Sequence, residues 1–268
     1  MLNKSYDILV IDDEKVIIDS IAKISGLENW TVDSAEDAAI AIQEKDLTKY
    51  RLLICDIMMP RMNGFQFLKE LETKKINTPV IMVTGYTTVE NAVKSLQQGA
   101  IDYIPKPFTV DELLCVIKRG LKQSDIMKDK YADSSYSSNP PSFVGCPTNY
   151  YRLGWLSWIS IEKPGIVIIG LTNLFTKTIE SIKNMELWNV DDRISQGNVC
   201  ANIHTMDDLS YNLLAPISGK IIERNDKILV DGKLPEKDPY FNGWLYKILP
   251  SNLDNELKFL TPCSSDRI

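Results

Sequence analysis

Apolar runs of strand length alternate with stretches of helical period over residues 6–121. The first run, residues 6–11, ends in the acidic cluster Asp12, Asp13 and Glu14, after which Val16, Ile17, Ile21 and Ile24 recur at helical spacing. Residues 31–35 predict a short second strand. Residues 36–45, with Ala38, Ala39, Ile40 and Ile42, predict a compact amphipathic helix. Leu52, Leu53, Ile54 and Cys55 are apolar without alternation, which suits a parallel strand buried on both faces, and the run stops abruptly at Asp56. Asn63 is placed to cap a helix carrying Phe65, Phe67, Leu68 and Leu71. Pro79 opens a fourth strand, VIMVT, ending at Thr84, and residues 89–98 form the next helix, closed by Gly99. Tyr103 and Ile104 make a brief fifth strand, and residues 111–121 a fifth helix with Leu113, Leu114, Ile117 and Leu121 inward. Five strand and helix pairs predict an α/β doubly wound five-stranded parallel sheet.

In such sheets the functional crevice lies beyond the carboxyl ends of the strands. Asp12 with Asp13, then Asp56, Thr84 and Lys106 all end strands and converge on that edge, although they are far apart in sequence. For Asp56 alone, a carboxylate that turns the chain after a strand is the bland alternative. For Lys106 it is an ordinary surface lysine, but Pro107 fits a constrained turn, with a cis bond as one option, that aims the ammonium inward. Several carboxylates in one crevice repel, and a hard cation such as Mg2+, bound through few carboxylates plus phosphate and water, compensates them.

Residues 5–122 resemble the receiver domain of two-component response regulators, of flavodoxin-like fold. The matching residues are Asp12 and Asp13, DIMMP with Gly64, TGYTTVENAV and GAIDYIPKPF. The resemblance implies Asp56 as phosphoryl acceptor, Asp12, Asp13 and the Met58 carbonyl with Asp56 as Mg2+ ligands, Thr84 and Lys106 as phosphoryl contacts, and Thr84 with Tyr103 as the switch pair. Asp56 then acts as a nucleophile toward phosphorus, with Mg2+ and the Lys106 ammonium neutralising the transferring group.

From residue 124 the text becomes SDIMKDKYADSSYSSNPPS, which reads as a helix tail and then a flexible linker. The expected organisation is a receiver at 1–123, a linker at 124–142 and a second domain at 143–268. The second half is mainly β, with GIVIIGLT, GNVCANIHT and GKIIERN as short strands, and one helix is expected over 176–185 with Ile179, Ile182 and Met185 inward, unless that stretch is partly extended. Its segments IVIIGLTNLF, DDRISQGNVCANI, LLAPISGKIIERN and DPYFNGWLYKI resemble the H protein of the glycine cleavage system, a lipoyl-type barrel-sandwich. The resemblance implies a lipoate-bearing lysine on a hairpin tip. Here that tip reads HTMDDLSYN, Asp208 falls where the lysine belongs, and no lysine lies between Arg193 and Lys220. Asp207 and Asp208 then read as a solvated turn. His204, the one histidine, reads as structural, and Trp155, Trp158, Trp188 and Trp244 as core or contact residues.

Charge and composition narrow the function further. A net charge of -6, and thirteen Lys and Arg against fifteen Asp and Glu from Phe143 onward, disfavour nucleic acid as a partner. No apolar run is long enough to span a bilayer, the start does not read as a leader, and the cytoplasm is the expected location. Five scattered cysteines without CxxC spacing predict buried, reduced thiols. There is no GxxxxGK[ST] loop for an ATPase output. The expectation is a phosphoacceptor signalling protein rather than a metabolic enzyme. Its donor is a histidine kinase, a phosphotransfer protein or a small phosphodonor. Its output is a lipoate-free H-like domain that binds an unnamed protein or changes its homodimerisation on phosphorylation. The alternative is a regulated component of glycine cleavage or lipoate handling.

Overall fold

The computed structural model describes residues 6–85, 88–131, 143–163 and 165–267. The chain divides into two compact units, each treated by itself below. Residues 8–131 alternate β1 (Ile8–Ile11), α1 (Lys15–Leu27), β2 (Val32–Ala35), α2 (Ala38–Glu44), β3 (Leu52–Asp56), α3 (Gly64–Thr73), β4 (Val80–Thr84), α4 (Val89–Gln97), β5 (Asp102–Pro105) and α5 (Val110–Tyr131). The sheet order is β2-β1-β3-β4-β5, with every neighbouring pair parallel. β1, β3 and β4 are buried along their whole length, as unbroken apolar runs covered on both faces require.

Local chemistry sets the helix starts. Asp37 Oδ1 accepts from the Ile40 amide at 2.9 Å to open α2. At α3, Asn63 Oδ1 accepts from the Gln66 amide while Gln66 Oε1 accepts from the Asn63 amide, both at 2.9 Å, a reciprocal cap. Gly120 lets α5 lie close on β3, because a Cβ there would stand 2.7 Å from Leu52 Cδ1.

The fifth helix shows how far the expected helix tail extends. It runs to Tyr131, ten residues beyond the expected end at Leu121. Asp125 is a helical side chain, its Oδ2 2.8 Å from Arg51 Nη2, and no proline or glycine follows before Tyr131. The first eight residues of the expected linker are therefore helix, and 132–142 lie outside the described residues.

The second unit contains β6 (Tyr151–Leu153), β7 (Ser157–Lys163), β8 (Ile166–Leu171), α6 (Asn173–Thr178), β9 (Ile182–Leu187), β10 (Arg193–Ile194), β11 (Val199–Thr205), β12 (Ser210–Leu214), β13 (Gly219–Arg224), α7 (Lys227–Val230), α8 (Leu234–Lys237), β14 (Trp244–Pro250), α9 (Leu253–Glu256) and β15 (Thr261–Pro262). Seven strands form one sheet, β10-β13-β14-β8-β7-β6-β15, and three form another, β12-β11-β9. Trp158 is buried at 1% exposure, its Nε1 donating to the carbonyls of Leu171 (2.9 Å) and Pro239 (3.1 Å). Its indole occupies the space where a Cβ on Gly170 would stand, so that glycine is needed for close approach.

The helix expected over 176–185 is overturned. Thr172 Oγ1 caps the Phe175 amide, the helix ends at Thr178, and Ile182–Leu187 is a strand. The register explains the error. Ile182 pairs with Thr205 and Asn184 with His204, so Lys183 is an extra residue bulged out of β9. The bulge places Ile182 and Met185 on the buried face at a spacing of three, which imitates a helical period.

Candidate functional site at the carboxyl edge of the parallel sheet

Sheet register brings the sequence-predicted residues together. Ile11 pairs with Cys55, so Asp12 and Asp56 leave adjacent strands side by side. Thr84 pairs with Pro105, and the Lys106 amide donates to the Thr84 carbonyl at 2.8 Å. Asp12, Asp56 and Thr84 are buried at 1%, 4% and 0% exposure, whereas Asp13 is exposed. Carboxylate oxygens of Asp12, Asp13 and Asp56 all lie within 4.8 Å of one another. Asp12 Oδ1 accepts from the Glu14 amide (2.9 Å) and Asp56 Oδ1 from the Met58 amide (3.2 Å), which fixes both side chains. Gly64 packs against the turn after β3, where a Cβ would collide with the Asp56 carbonyl at 2.5 Å, so only glycine permits that approach.

Lys106 enters this crevice from the opposite side. Its Nζ stands 2.8 Å from Asp12 Oδ2, 3.2 Å from Asp56 Oδ2 and 3.2 Å from Glu14 Oε1. The bond to Pro107 is cis. Burial works against the Lys106 charge, but Asp12, Asp56 and Glu14 outweigh it and hold the ammonium above its ordinary pKa. Burial raises the Asp12 carboxyl, and Lys106 and the Glu14 amide only partly offset it, with the Asp56 charge adding to the rise. Glu14 was not among the site residues read from sequence. Its one signal was its place directly after the acid pair. Tyr103, on β5, is half-buried against the core around Leu9 and Phe67, and its buried hydroxyl has no hydrogen-bond partner among the described residues.

The oxygen donor set suits a hard divalent ion. Three carboxylates facing one pocket, one of them destabilised by burial, fit Mg2+ by ligand type.

Residues 8–118 match the family described as response regulator receiver domain, and residues 149–265 that described as glycine cleavage H-protein. The chain joins a receiver domain to an H-protein domain. Response regulator MprA of Mycobacterium ulcerans (strain Agy99) is 32% identical over 130 residues, 48% of this chain and 56% of that protein. Regulatory protein AtoC of Escherichia coli (strain K12) is 34% identical over 122 residues, 46% of this chain and 26% of that protein. The chain thus spans about half, or less, of the curated relatives it matches. The solved receiver domain of NtrX from Brucella abortus is 37% identical, covering 43% of this chain and 98% of that one, with a TM-score of 0.41. A glycine cleavage system H protein from Mycobacterium marinum is 27% identical, covering 40% and 87%, with a TM-score of 0.37.

In the H-protein domain, Asp208 sits in the β11 to β12 connection with a φ of 60°. The Met206 amide donates to the Ser181 carbonyl (2.9 Å), tying this tip to the start of β9, and Lys183 Nζ reaches Asp208 Oδ1 at 2.9 Å. Lys183, Asn184, His204, Thr205, Asp208 and Leu209 line an open cleft of about 260 Å³. His204 is held by Ser210 Oγ at Nδ1 (2.8 Å) and by Glu186 Oε1 at Nε2 (3.3 Å), as a structural histidine would be. Of the tryptophans in this domain, Trp158 is a core residue, while Trp155, Trp188 and Trp244 are partly exposed. All five cysteines are buried, and none is in a disulfide. No helix among the described residues is long and apolar enough to cross a membrane.

Proposed function

We propose that the protein is a two-component response regulator that accepts a phosphoryl group on Asp56 and signals through a lipoate-free H-protein domain. The observation that carries the reading is the single crevice in which Asp56 lies within 4.8 Å of the Asp12 and Asp13 carboxylates and 3.2 Å from Lys106 Nζ. Asp12, Asp13 and Asp56, with the carbonyl of Met58, would hold Mg2+, which when bound offsets carboxylate repulsion and charge on a transferring phosphoryl group. Asp56 attacks phosphorus, while Lys106 and the Thr84 hydroxyl bind the phosphoryl oxygens. Thr84 movement then makes room for the Tyr103 ring, a two-state change at β4 and β5.

The donor is a histidine kinase or phosphotransfer protein acting in trans. Residues 1–123 serve as receiver, 124–142 as connection and 143–268 as output. The absence of lysine from the β11 to β12 tip supports protein recognition over acyl carriage. The test is incubation of the full chain with acetyl phosphate with and without Mg2+, read by intact mass. One phosphoryl mass should appear only with the metal and be lost in Asp56→Asn, and equal labelling of that variant would refute the assignment.

A further inference from the structure

Lys106 contacts three carboxylates, and an ammonium has only three N–H donors, so its hydrogen-bonding capacity is filled. Two of its partners have a second use in the reading above. Asp12 and Asp56 are buried at 2% and 5% side-chain exposure and belong to the carboxylate cluster that fits a divalent ion. Glu14 differs: its side chain is 61% exposed and outside that cluster. Its backbone is nonetheless fixed. The Glu14 amide donates to Asp12 Oδ1, and its carbonyl accepts from the amides of Ile17 (2.9 Å) and Ile18 (3.2 Å), so the residue is anchored at the start of α1 with its carboxylate at the mouth of the crevice.

We propose that Glu14 is a positioning residue: it tethers Lys106 at the mouth and withholds one of its N–H donors from the phosphoryl group, setting the rate at which Asp56 is charged. The inference rests on Asp56 being the phosphoacceptor. In the step concerned, an Asp56 carboxylate oxygen bonds to phosphorus as the bond from phosphorus to the donor oxygen breaks. The electron pair leaves with the donor's carboxylate. In between, charge is spread over the three equatorial oxygens of the transferring group, where each free N–H of Lys106 has an oxygen to meet. Asp12 and Asp56 would be shared with an ion at the site, whereas Glu14 lies outside that cluster and would keep the ammonium as its partner.

The experiment uses the full chain, acetyl phosphate over a concentration series with Mg2+, and the variants Glu14→Gln and Glu14→Asp. Glu14→Gln removes the charge at constant length. Glu14→Asp keeps the charge but is one methylene too short for the contact. Both should raise the maximal labelling rate roughly two- to fivefold with KM unchanged, the range open to a partly exposed ion pair. Reactivity of Lys106 toward an acetylating ester, measured by peptide mass against other lysines of the chain, should rise in both variants without any phosphodonor. A Glu14→Asp variant that behaves as wild type while Glu14→Gln is faster, or a change confined to KM, overturns the tether in favour of simple repulsion of the donor. Unchanged Lys106 reactivity in both variants overturns it outright. If no variant takes a phosphoryl group while Lys106 reactivity still rises, the tether stands and the phosphoacceptor reading falls.

Discussion

Lys183 stands out of β9 at a bulge and places its Nζ 2.9 Å from Asp208 Oδ1, so the tip of the β11 to β12 hairpin carries an ion pair made with a neighbouring strand. Both partners are largely exposed, and such a pair contributes at most about 1 kcal/mol. Its significance is chemical. In the function proposed above, Asp208 stands in place of the acyl-bearing lysine, and the amine that reaches it belongs to a strand rather than to the tip. Co-expression with a lipoate ligase should leave the wild-type mass unchanged. Asp208→Lys should gain one lipoyl mass, although lysine lacks the short polar side chain that eases a positive φ for aspartate. Lipoate on any wild-type lysine of residues 143–268 would contradict the reading.

Mg2+ should stabilise the receiver domain, because Asp12 and Asp56 are buried with like charge beside them. Addition of millimolar Mg2+ is expected to raise the first thermal transition, and Asp13→Ala to abolish most of that rise. Asp13 is exposed, so the variant should fold normally. An undiminished Mg2+ response in Asp13→Ala would remove that residue from the ligand set.

Asp33 joins β2 to the segment before β3: its Oδ2 is 2.7 Å from Lys45 Nζ and 2.6 Å from Tyr50 Oη. Burial alone would raise its carboxyl, but Lys45, Tyr50 and the Ser34 amide together hold it below the ordinary aspartate range. A carboxyl depressed in the folded state adds stability above its unfolded pKa and loses it as pH falls through the folded one. Asp33→Asn is therefore expected to cost about 1–3 kcal/mol at pH 7, with the difference from wild type shrinking below about pH 4. Hydrogen exchange of the β1 and β2 amides against pH reads this, and a cost independent of pH would show that the charge is irrelevant.

Trp158 fills the space over Gly170 and donates to two carbonyls at once. Trp158→Phe leaves both acceptors short of a donor and a void beside them, which should destabilise the H-protein domain by about 2–4 kcal/mol. Urea unfolding followed by fluorescence of the remaining tryptophans should show the loss. Phosphoryl labelling of Asp56 should be unaffected, and a parallel loss of labelling would mean that the two units unfold together.

The first half was legible because its signals were redundant. β1, β3 and β4 are buried, largely apolar runs that lead into Asp12, Asp56 and Thr84, and Lys106 follows the short β5, so a topology rule sufficed to gather them at one edge. Glu14 escaped notice because its role depends on where Lys106 reaches, a contact 92 residues away in sequence. A helix tail after Ser124 was legible, but its extent was not, because the support that Asp125 finds in Arg51 is a contact 74 residues away in sequence. In the second half, a single bulged residue at Lys183 reset the alternation of β9 and gave Ile182 and Met185 a helical spacing. Local pattern carries the period of an element only while its ladder is regular.

One contact at the margin of the small sheet bears on how copies of the protein behave in a crowded solution. The Ile182 amide, at the outer side of β9, donates to Glu236 Oε1, and Ser181 Oγ donates to the same carboxylate. A side chain from α8 thus occupies a backbone group that a foreign strand would seek. The three-stranded sheet is closed to extension there by an acid that would also repel an approaching acidic chain. Glu236 thus covers a backbone donor on the edge of that sheet, where an open ladder would invite another polypeptide to join.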